Sequence, residues 1–152
     1  ALGGARVTLT DLLSCFPVTA DNLKANGFAM ANGAAGAELN ASHWTQQEGG
    51  GTIQMCALDW CKPDFSLLPG PFDVILGADI TIYEDRHEAL LQTLLQLCGP
   101  STVVVLAHEY RGGQTTFPFG DMAAAHFDVQ RVPCAEALQE CNIVSEDVAL
   151  YR

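Results

Sequence analysis

The chain has little positive charge. Its 152 residues contain 7 Lys and Arg against 18 Asp and Glu, which gives a formal net charge of −11. So few cations cannot build the basic patch that a phosphate backbone requires, which argues against nucleic acid as the primary ligand. An acidic surface suits a basic protein segment as a partner, and acidity that only aids solubility explains the charge equally well.

Long hydrophobic runs and paired cysteines are also missing. No stretch reaches the roughly eighteen apolar residues of a membrane-spanning helix. The six cysteines include no C-x-x-C pair and lie mostly among apolar residues, which favours reduced thiols over a zinc site or another metal site. From these features we expect a cytoplasmic monomer that contacts neither membrane nor nucleic acid.

Four short apolar runs are present, and each ends in a carboxylate: Asp11, Asp59, Asp79 or Glu109. Apolar runs of this length are typical of strands buried on both faces, in a parallel sheet covered by helices. Because parallel strands point the same way, the four acids would gather along the carboxyl edge, where open α/β sheets bind ligands. With 49% hydrophobic and 16% charged residues, a single domain with one core is expected.

The apolar pattern predicts an order of strands and helices. Strands are predicted at residues 5–11, 52–59, 72–79, 101–109, 127–133 and 147–152, and helices at 19–26 and 84–98, with a short helix inside 115–126. The last two strands are expected to form an antiparallel edge pair. Residues 28–50 are rich in Ala, Gly, Asn and Gln without an apolar period, which predicts a surface insertion.

A series of motifs resembles one enzyme family. The motifs are TDL, DNLKANG, LDW, FDVILGADITIYEDRHEALLQTLLQL, VVVLAHEYR, FDVQRVP and VALYR. Together they resemble the class I, seven-β-strand S-adenosylmethionine methyltransferases, and most closely methyltransferase family 16, which includes protein-lysine methyltransferases. The resemblance implies that residues 1–152 form a partial domain of this type, with a Rossmann-like, mostly parallel sheet flanked by helices and an antiparallel C-terminal edge.

The chain departs from that family in two ways. In the family, a first strand and a G-x-G-x-G turn precede the TDL strand and hold the amino-acid part of the cofactor, whereas this chain starts after them. The resemblance therefore implies an incomplete cofactor site, and we expect the chain as given to bind S-adenosylmethionine very weakly or not at all. In addition, Tyr83 stands one residue farther from Asp79 than the family spacing.

The resemblance assigns cofactor contacts to four residues. Asp11 would bind the ribose diol, Asp59 and Trp60 would flank the adenine, and the small Ala78 would let the backbone approach the cofactor closely. Other roles are open for two of them. Asp11 can instead be a helix N-cap or turn residue, and Trp60 can instead be a core anchor.

Asp79 and Tyr83 are the candidate catalytic residues. By resemblance they face the methyl-transfer centre, where a carboxylate and an aromatic ring can orient a lysine amine. Alternatively, Asp79 caps the following helix. Glu109 would line the substrate channel or form an ion pair with Arg111.

The four histidines show no metal-ligand spacing. His108 and His126 are expected to serve structure, and His43 and His87 are expected at the surface.

The function that the resemblance implies is S-adenosylmethionine-dependent methylation of protein lysine, on a substrate with a basic segment. The alternative is a non-catalytic interaction module on a methyltransferase scaffold. A third reading, a Mg²⁺ site for phosphoryl transfer, is disfavoured, because there is no G-x-x-x-x-G-K-[ST] loop and the only lysines are Lys24 and Lys62.

Overall fold

The computed structural model describes residues 4–31, 41–46, 51–68, 70–109, 117–132 and 148–151. The chain divides into two compact units, Ala1–Pro69 and Gly70–Arg152. Each unit contains a four-stranded mixed sheet with helices, so the predicted α/β class is confirmed. The described strands form two sheets where one was expected. Each sheet begins with a parallel pair of the predicted apolar strands.

The first unit has the strand order β1-β4-β3-β2. Its elements are β1 (Arg6–Asp11), α1 (Phe16–Ala25), β2 (Phe28–Met30), β3 (Ala41–Gln46) and β4 (Thr52–Ala57), with a short 3₁₀ helix at Leu13–Cys15. Strands β1 and β4 pair in parallel, with Arg6 opposite Thr52 and Asp11 opposite Ala57. Both strands therefore end on the same side of the sheet.

Helix α1 begins three residues before its predicted start at residue 19. Pro17 lies in its first turn, where the missing N–H costs nothing because the first helical N–H groups have no partner inside the helix. Gly27 follows the helix with a φ of 78°, and its N–H donates to the Lys24 carbonyl oxygen at 3.0 Å. Gly27 therefore ends the helix as a C-terminal cap.

Strands β2 and β3 lie in the segment that was predicted to be an irregular surface insertion. Strand β3 pairs antiparallel with both β2 and β4. Its Trp44 side chain is only 1% exposed and belongs to the same buried cluster as Leu23, Ile53 and Met55. Burial of one indole stabilises a strand whose other residues are small or polar, which is why the apolar pattern missed it.

The second unit has the strand order β5-β6-β8-β7. Its elements are β5 (Phe72–Ala78), α2 (His87–Leu97), β6 (Cys98–Glu109), α3 (Pro118–Ala123), β7 (Arg131–Val132) and β8 (Val148–Tyr151), with a 3₁₀ turn at Glu84–Arg86. Strands β5 and β6 are parallel and α2 connects them, which confirms the predicted order of strand, helix and parallel strand over residues 72–109. Strand β8 is antiparallel to β6 and to β7, so the antiparallel edge pair is also confirmed.

Burial of β5 and β6 on both faces was predicted, and this prediction is wrong. Val74 and Leu76 are 54% and 75% exposed, and Val103, which pairs with Val74, is 39% exposed. Alternate residues of a strand face opposite sides, and Leu106 on the other side of β6 is only 5% exposed. An apolar run shows that a strand can be buried but not which of its faces another element covers.

Four cysteines lie in the described residues, and all four are free: Cys15, Cys56, Cys61 and Cys98. Cys134 and Cys141 lie outside the described residues. Within the described ranges, no three His, Cys, Asp or Glu side chains cluster as metal ligands would. No helix in the same ranges is long and apolar enough to cross a membrane.

Candidate functional site

The carboxyl ends of β1 and β4 bring two of the predicted acids together. Asp11 is the last residue of β1 and lies opposite Ala57. Ala57 ends β4, and Asp59 follows it by two residues. The Leu58 N–H continues the ladder, because it donates to the Asp11 carbonyl oxygen at 2.9 Å. Asp11 and Asp59 therefore end adjacent parallel strands, as the sequence predicted.

Local turns orient both carboxylates. Asp11 Oδ1 accepts from the Leu12 N–H at 2.7 Å, and Asp59 Oδ1 accepts from the Cys61 N–H at 2.9 Å. Both aspartates are exposed. Among the described residues, no group donates to Oδ2 of either side chain. Each carboxylate thus keeps one oxygen for a ligand donor.

The helix-cap alternative for Asp11 does not match the structure. The residue at the N-cap of the 3₁₀ helix is Leu12 and that at the N-cap of α1 is Cys15, and neither position has a side-chain cap bond. Asp11 instead bonds the N–H of the next residue, as a turn residue does.

Trp60 lies in the turn that Asp59 begins. The Lys62 N–H donates to the Asp59 carbonyl oxygen at 3.0 Å and closes this turn around Trp60. Trp60 is half-buried and does not belong to the buried core, in which the tryptophan is Trp44. The tryptophan that anchors this core is therefore Trp44, while Trp60 is partly exposed in the turn after Asp59.

In the second unit, Asp79 is bonded to β6. Its N–H donates to the Ala107 carbonyl oxygen at 2.9 Å, and its Oδ1 accepts from the Glu109 N–H at 3.3 Å. Its φ of 55° lies in the left-handed region, which Asp tolerates better than most residues. Asp79 and Glu109 therefore meet at the carboxyl ends of two adjacent parallel strands.

The helix-cap alternative for Asp79 is not observed either. The N-cap positions of the 3₁₀ turn and of α2 are Tyr83 and Arg86, without side-chain cap bonds. Tyr83 is 69% exposed, which leaves its ring accessible to a partner. The ion pair predicted between Glu109 and Arg111 involves a residue outside the described ranges.

Ala78 ends β5 opposite Ala107 of β6. Ala78 is exposed, and both residues of this pair carry only a methyl side chain. A side chain as small as that of Ala78 would let a ligand approach the backbone closely.

The histidine predictions are correct for His108, which is 4% exposed and bonded inside the unit, and for His43, which is exposed. His126 was predicted to serve structure, but it is exposed. His87 was predicted at the surface but is only 8% exposed, because it faces the core from the first position of α2. The sequence carried this signal, because His87 precedes Leu90, Leu91 and Leu94 at the spacing of one helix face.

The structure thus brings Asp11 together with Asp59, and Asp79 together with Glu109. The first pair lies in the first unit and the second pair in the second unit. That all four acids share one edge stays a prediction.

Comparison with known protein families gives a match over most of the chain. Residues 1–124 match a family described as lysine methyltransferase. The chain belongs to this family. The resemblance that the motifs indicated is therefore confirmed.

Two curated relatives illustrate the range of similarity. The chain is 34% identical over 132 residues to EEF1A lysine methyltransferase 3 of Mus musculus, which covers 86% of the chain and 47% of the relative. It is 36% identical over 111 residues to protein N-lysine methyltransferase METTL21A of Mus musculus, which covers 73% of the chain and 43% of the relative. The chain thus spans about half the length of these lysine methyltransferases.

Proposed function

We propose that this lysine methyltransferase family member transfers a methyl group from S-adenosylmethionine to lysine side chains of a protein. Family membership and the names of the two relatives support the reaction. The observation that carries the proposal is the pair of exposed carboxylates, Asp11 and Asp59, at the ends of adjacent parallel strands. Strand ends of this kind are where α/β sheets bind nucleotides.

The chemistry of these side chains fits the nucleoside part of S-adenosylmethionine. The Asp11 carboxylate can accept hydrogen bonds from the ribose diol, since its Oδ2 is not engaged by described residues. The partly exposed Trp60 could offer an apolar indole face for the adenine, with Asp59 next to it in the chain as an acceptor for the exocyclic amine. Ala78 would allow a close backbone approach to the cofactor.

Asp79 and Tyr83 are proposed to act on the lysine. S-adenosylmethionine supplies a methyl carbon that its positively charged sulfur makes electrophilic. The lysine Nζ must lose a proton before its lone pair forms the N–C bond as the S–C bond breaks, and the Asp79 carboxylate can accept a hydrogen bond from that amine. The exposed Tyr83 ring can hold the ammonium form by a cation–π contact.

The charge of the chain suggests the kind of acceptor. A net charge of −11 attracts lysine- or arginine-rich segments, and this attraction would raise the rate of encounter at low ionic strength. We therefore propose a protein substrate with a basic segment around the target lysine. The reduced thiols are in keeping with a cytoplasmic protein, and we propose that it acts there as a monomer.

A transfer assay tests this proposal. The chain is incubated with a series of concentrations of methyl-labelled S-adenosylmethionine and with a lysine-rich acceptor protein. We expect label on lysine side chains, at a rate that rises with donor concentration, and at least about a tenfold loss in Asp79→Asn.

Unlabelled acceptor at every donor concentration would contradict the proposed activity. Together with intact nucleoside binding, that result would favour the non-catalytic interaction module.

A further inference from the structure

A buried polar cluster begins two residues after Asp79, and the proposed mechanism does not use it. Thr81, His87 and His108 are 5%, 8% and 4% exposed. The Thr81 Oγ1 lies 2.9 Å from His108 Nδ1, and the His87 Nε2 lies 3.0 Å from the Thr81 carbonyl oxygen. Thr81 is therefore bonded through both its side chain and its backbone.

The two histidines come from different elements and are shielded by aromatic rings. His87 begins α2 and His108 lies near the end of β6. The His87 ring meets Phe119 edge-on at 5.4 Å, and the His108 ring lies 4.9 Å from Phe117. Because water is largely excluded from such a site, breaking one of these hydrogen bonds leaves a buried polar group without that partner, which is strongly disfavoured.

The direction of one bond follows from its acceptor. A carbonyl oxygen can only accept, so the His87 Nε2 carries a proton and donates it to Thr81. The bond between Thr81 Oγ1 and His108 Nδ1 can run in either direction. Together these bonds join the turn after β5 to the first residue of α2 and to the end of β6.

Asp79 needs such support. A φ of 55° is uncommon for a residue other than glycine, and it persists where the surrounding structure holds it. On one side, the Asp79 N–H is held by the Ala107 carbonyl oxygen at 2.9 Å. On the other side, after Ile80, the chain is held by the bonds of Thr81.

We propose that Thr81, His87 and His108 are positioning residues that fix the turn after β5, so that the Asp79 carboxylate is presented to the acceptor amine. This role rests on the proposed methyl transfer. Its structural part, the fixing of the turn, can be tested without activity.

The first test measures amide hydrogen exchange of Asp79 and Glu109 by NMR under native conditions. Thr81→Val removes the hydroxyl and keeps the shape, while Thr81→Ser keeps the hydroxyl. The matched control is Thr93→Val in α2, because Thr93 is also buried, at 3% exposed, and its hydroxyl donates to the Ala89 carbonyl oxygen at 2.9 Å.

We expect about tenfold faster exchange of the two amides in Thr81→Val, and rates near the wild type in Thr81→Ser and Thr93→Val. Equal exchange in Thr81→Val and Thr93→Val would overturn the proposal.

A second pair of variants changes His108 in β6. His108→Asn places an amide near the Nδ1 position and can bond the Thr81 hydroxyl, whereas His108→Leu cannot. The Asn variant should exchange more slowly at Asp79 and Glu109 than the Leu variant. Exchange that is the same in both would contradict the role of this hydrogen bond, even if Thr81→Val does not fold.

The transfer assay separates positioning from the proposed function. Thr81→Val should lower kcat and leave the KM for S-adenosylmethionine unchanged, since the turn faces the acceptor. Faster exchange with an unchanged kcat would overturn the positioning role. Absence of transfer in the wild type would count against the proposed function, and the exchange rates would still decide whether the cluster fixes the turn.

Discussion

The two units hold their candidate site residues in different ways. In the first unit, the Asp11 and Asp59 side chains bond the N–H of residues one and two positions further along the chain. In the second unit, the Asp79 side chain bonds the N–H of Glu109, thirty residues away, beside a buried Thr81–His108 bond. A locally bonded carboxylate tolerates changes elsewhere, whereas a carboxylate bonded across strands depends on the packing of its unit.

The cores differ in a related way. The first unit centres on one indole, Trp44, packed with Leu23, Ile53 and Met55. The second unit places buried histidines against Phe117 and Phe119. Bonded histidines therefore take part in the packing of the second unit, whereas in the first unit the Trp44 Nε1 donates locally to Ser42 Oγ at 3.0 Å.

The largest effect is expected from removing the indole at the centre of the first unit. Trp44→Ala leaves a cavity among Leu23, Ile53 and Met55, and should lower the free energy of unfolding by about 3–5 kcal/mol. Urea denaturation followed by circular dichroism measures it. Val18→Ala, at a position 66% exposed, is the control and should change stability by less than about 0.5 kcal/mol. A similar loss in both variants would show that Trp44 does not anchor this core.

The next largest effect on stability is expected from removing the Asp79 carboxylate, with removal of the Asp11 carboxylate as the comparison. Asp79→Ala removes the acceptor of the Glu109 N–H and leaves alanine with a positive φ, so it should cost about 1–3 kcal/mol. Asp11→Ala removes an exposed local bond and should cost less than about 0.5 kcal/mol. The same urea denaturation measures both. An equal cost would remove the distinction between the two units.

The smallest effect is on thiol reactivity, without a change in stability. Burial raises the pKa of the Cys56 and Cys98 thiols, and for Cys56 a hydrogen bond from Gln54 lowers it by a smaller amount. Cys61 is exposed on the turn after Trp60. At neutral pH, iodoacetamide should therefore modify Cys61 at least about tenfold faster than Cys56 or Cys98.

Mass spectrometry of the digested protein gives the three labelling rates. Cys56 and Cys98 should be labelled appreciably only at a higher pH than an ordinary thiol requires, because their raised pKa keeps the reactive thiolate scarce. Labelling of Cys56 as fast as that of Cys61 would contradict the burial of the Cys56 side chain in β4.

The sequence predicted the elements that carry continuous apolar runs. Strands β1, β4, β5 and β6 lie within two or three residues of their predicted bounds, because such runs have few other ways to be buried. Strand β3 escaped prediction because one buried tryptophan stabilises it. The exposed face of β5 also escaped, since residue type does not say which face is covered.

For the site, the positions were predictable and the contacts were not. A carboxylate after an apolar run marks a strand end, and this placed Asp11, Asp59 and Asp79. The left-handed φ of Asp79 and the burial of His87 depend on contacts with other elements. In the case of His87, the helical period contained the information, although a surface position was predicted.

The most direct test of the account maps nucleoside binding by NMR. The ligand is 5′-methylthioadenosine, a thioether that keeps the nucleoside of S-adenosylmethionine and lacks its amino-acid part. The account predicts amide shift changes at Asp11, Asp59 and Trp60, with binding that is weakened in Asp11→Asn. Shift changes that avoid the ends of β1 and β4, or that persist unchanged in Asp11→Asn, would contradict it.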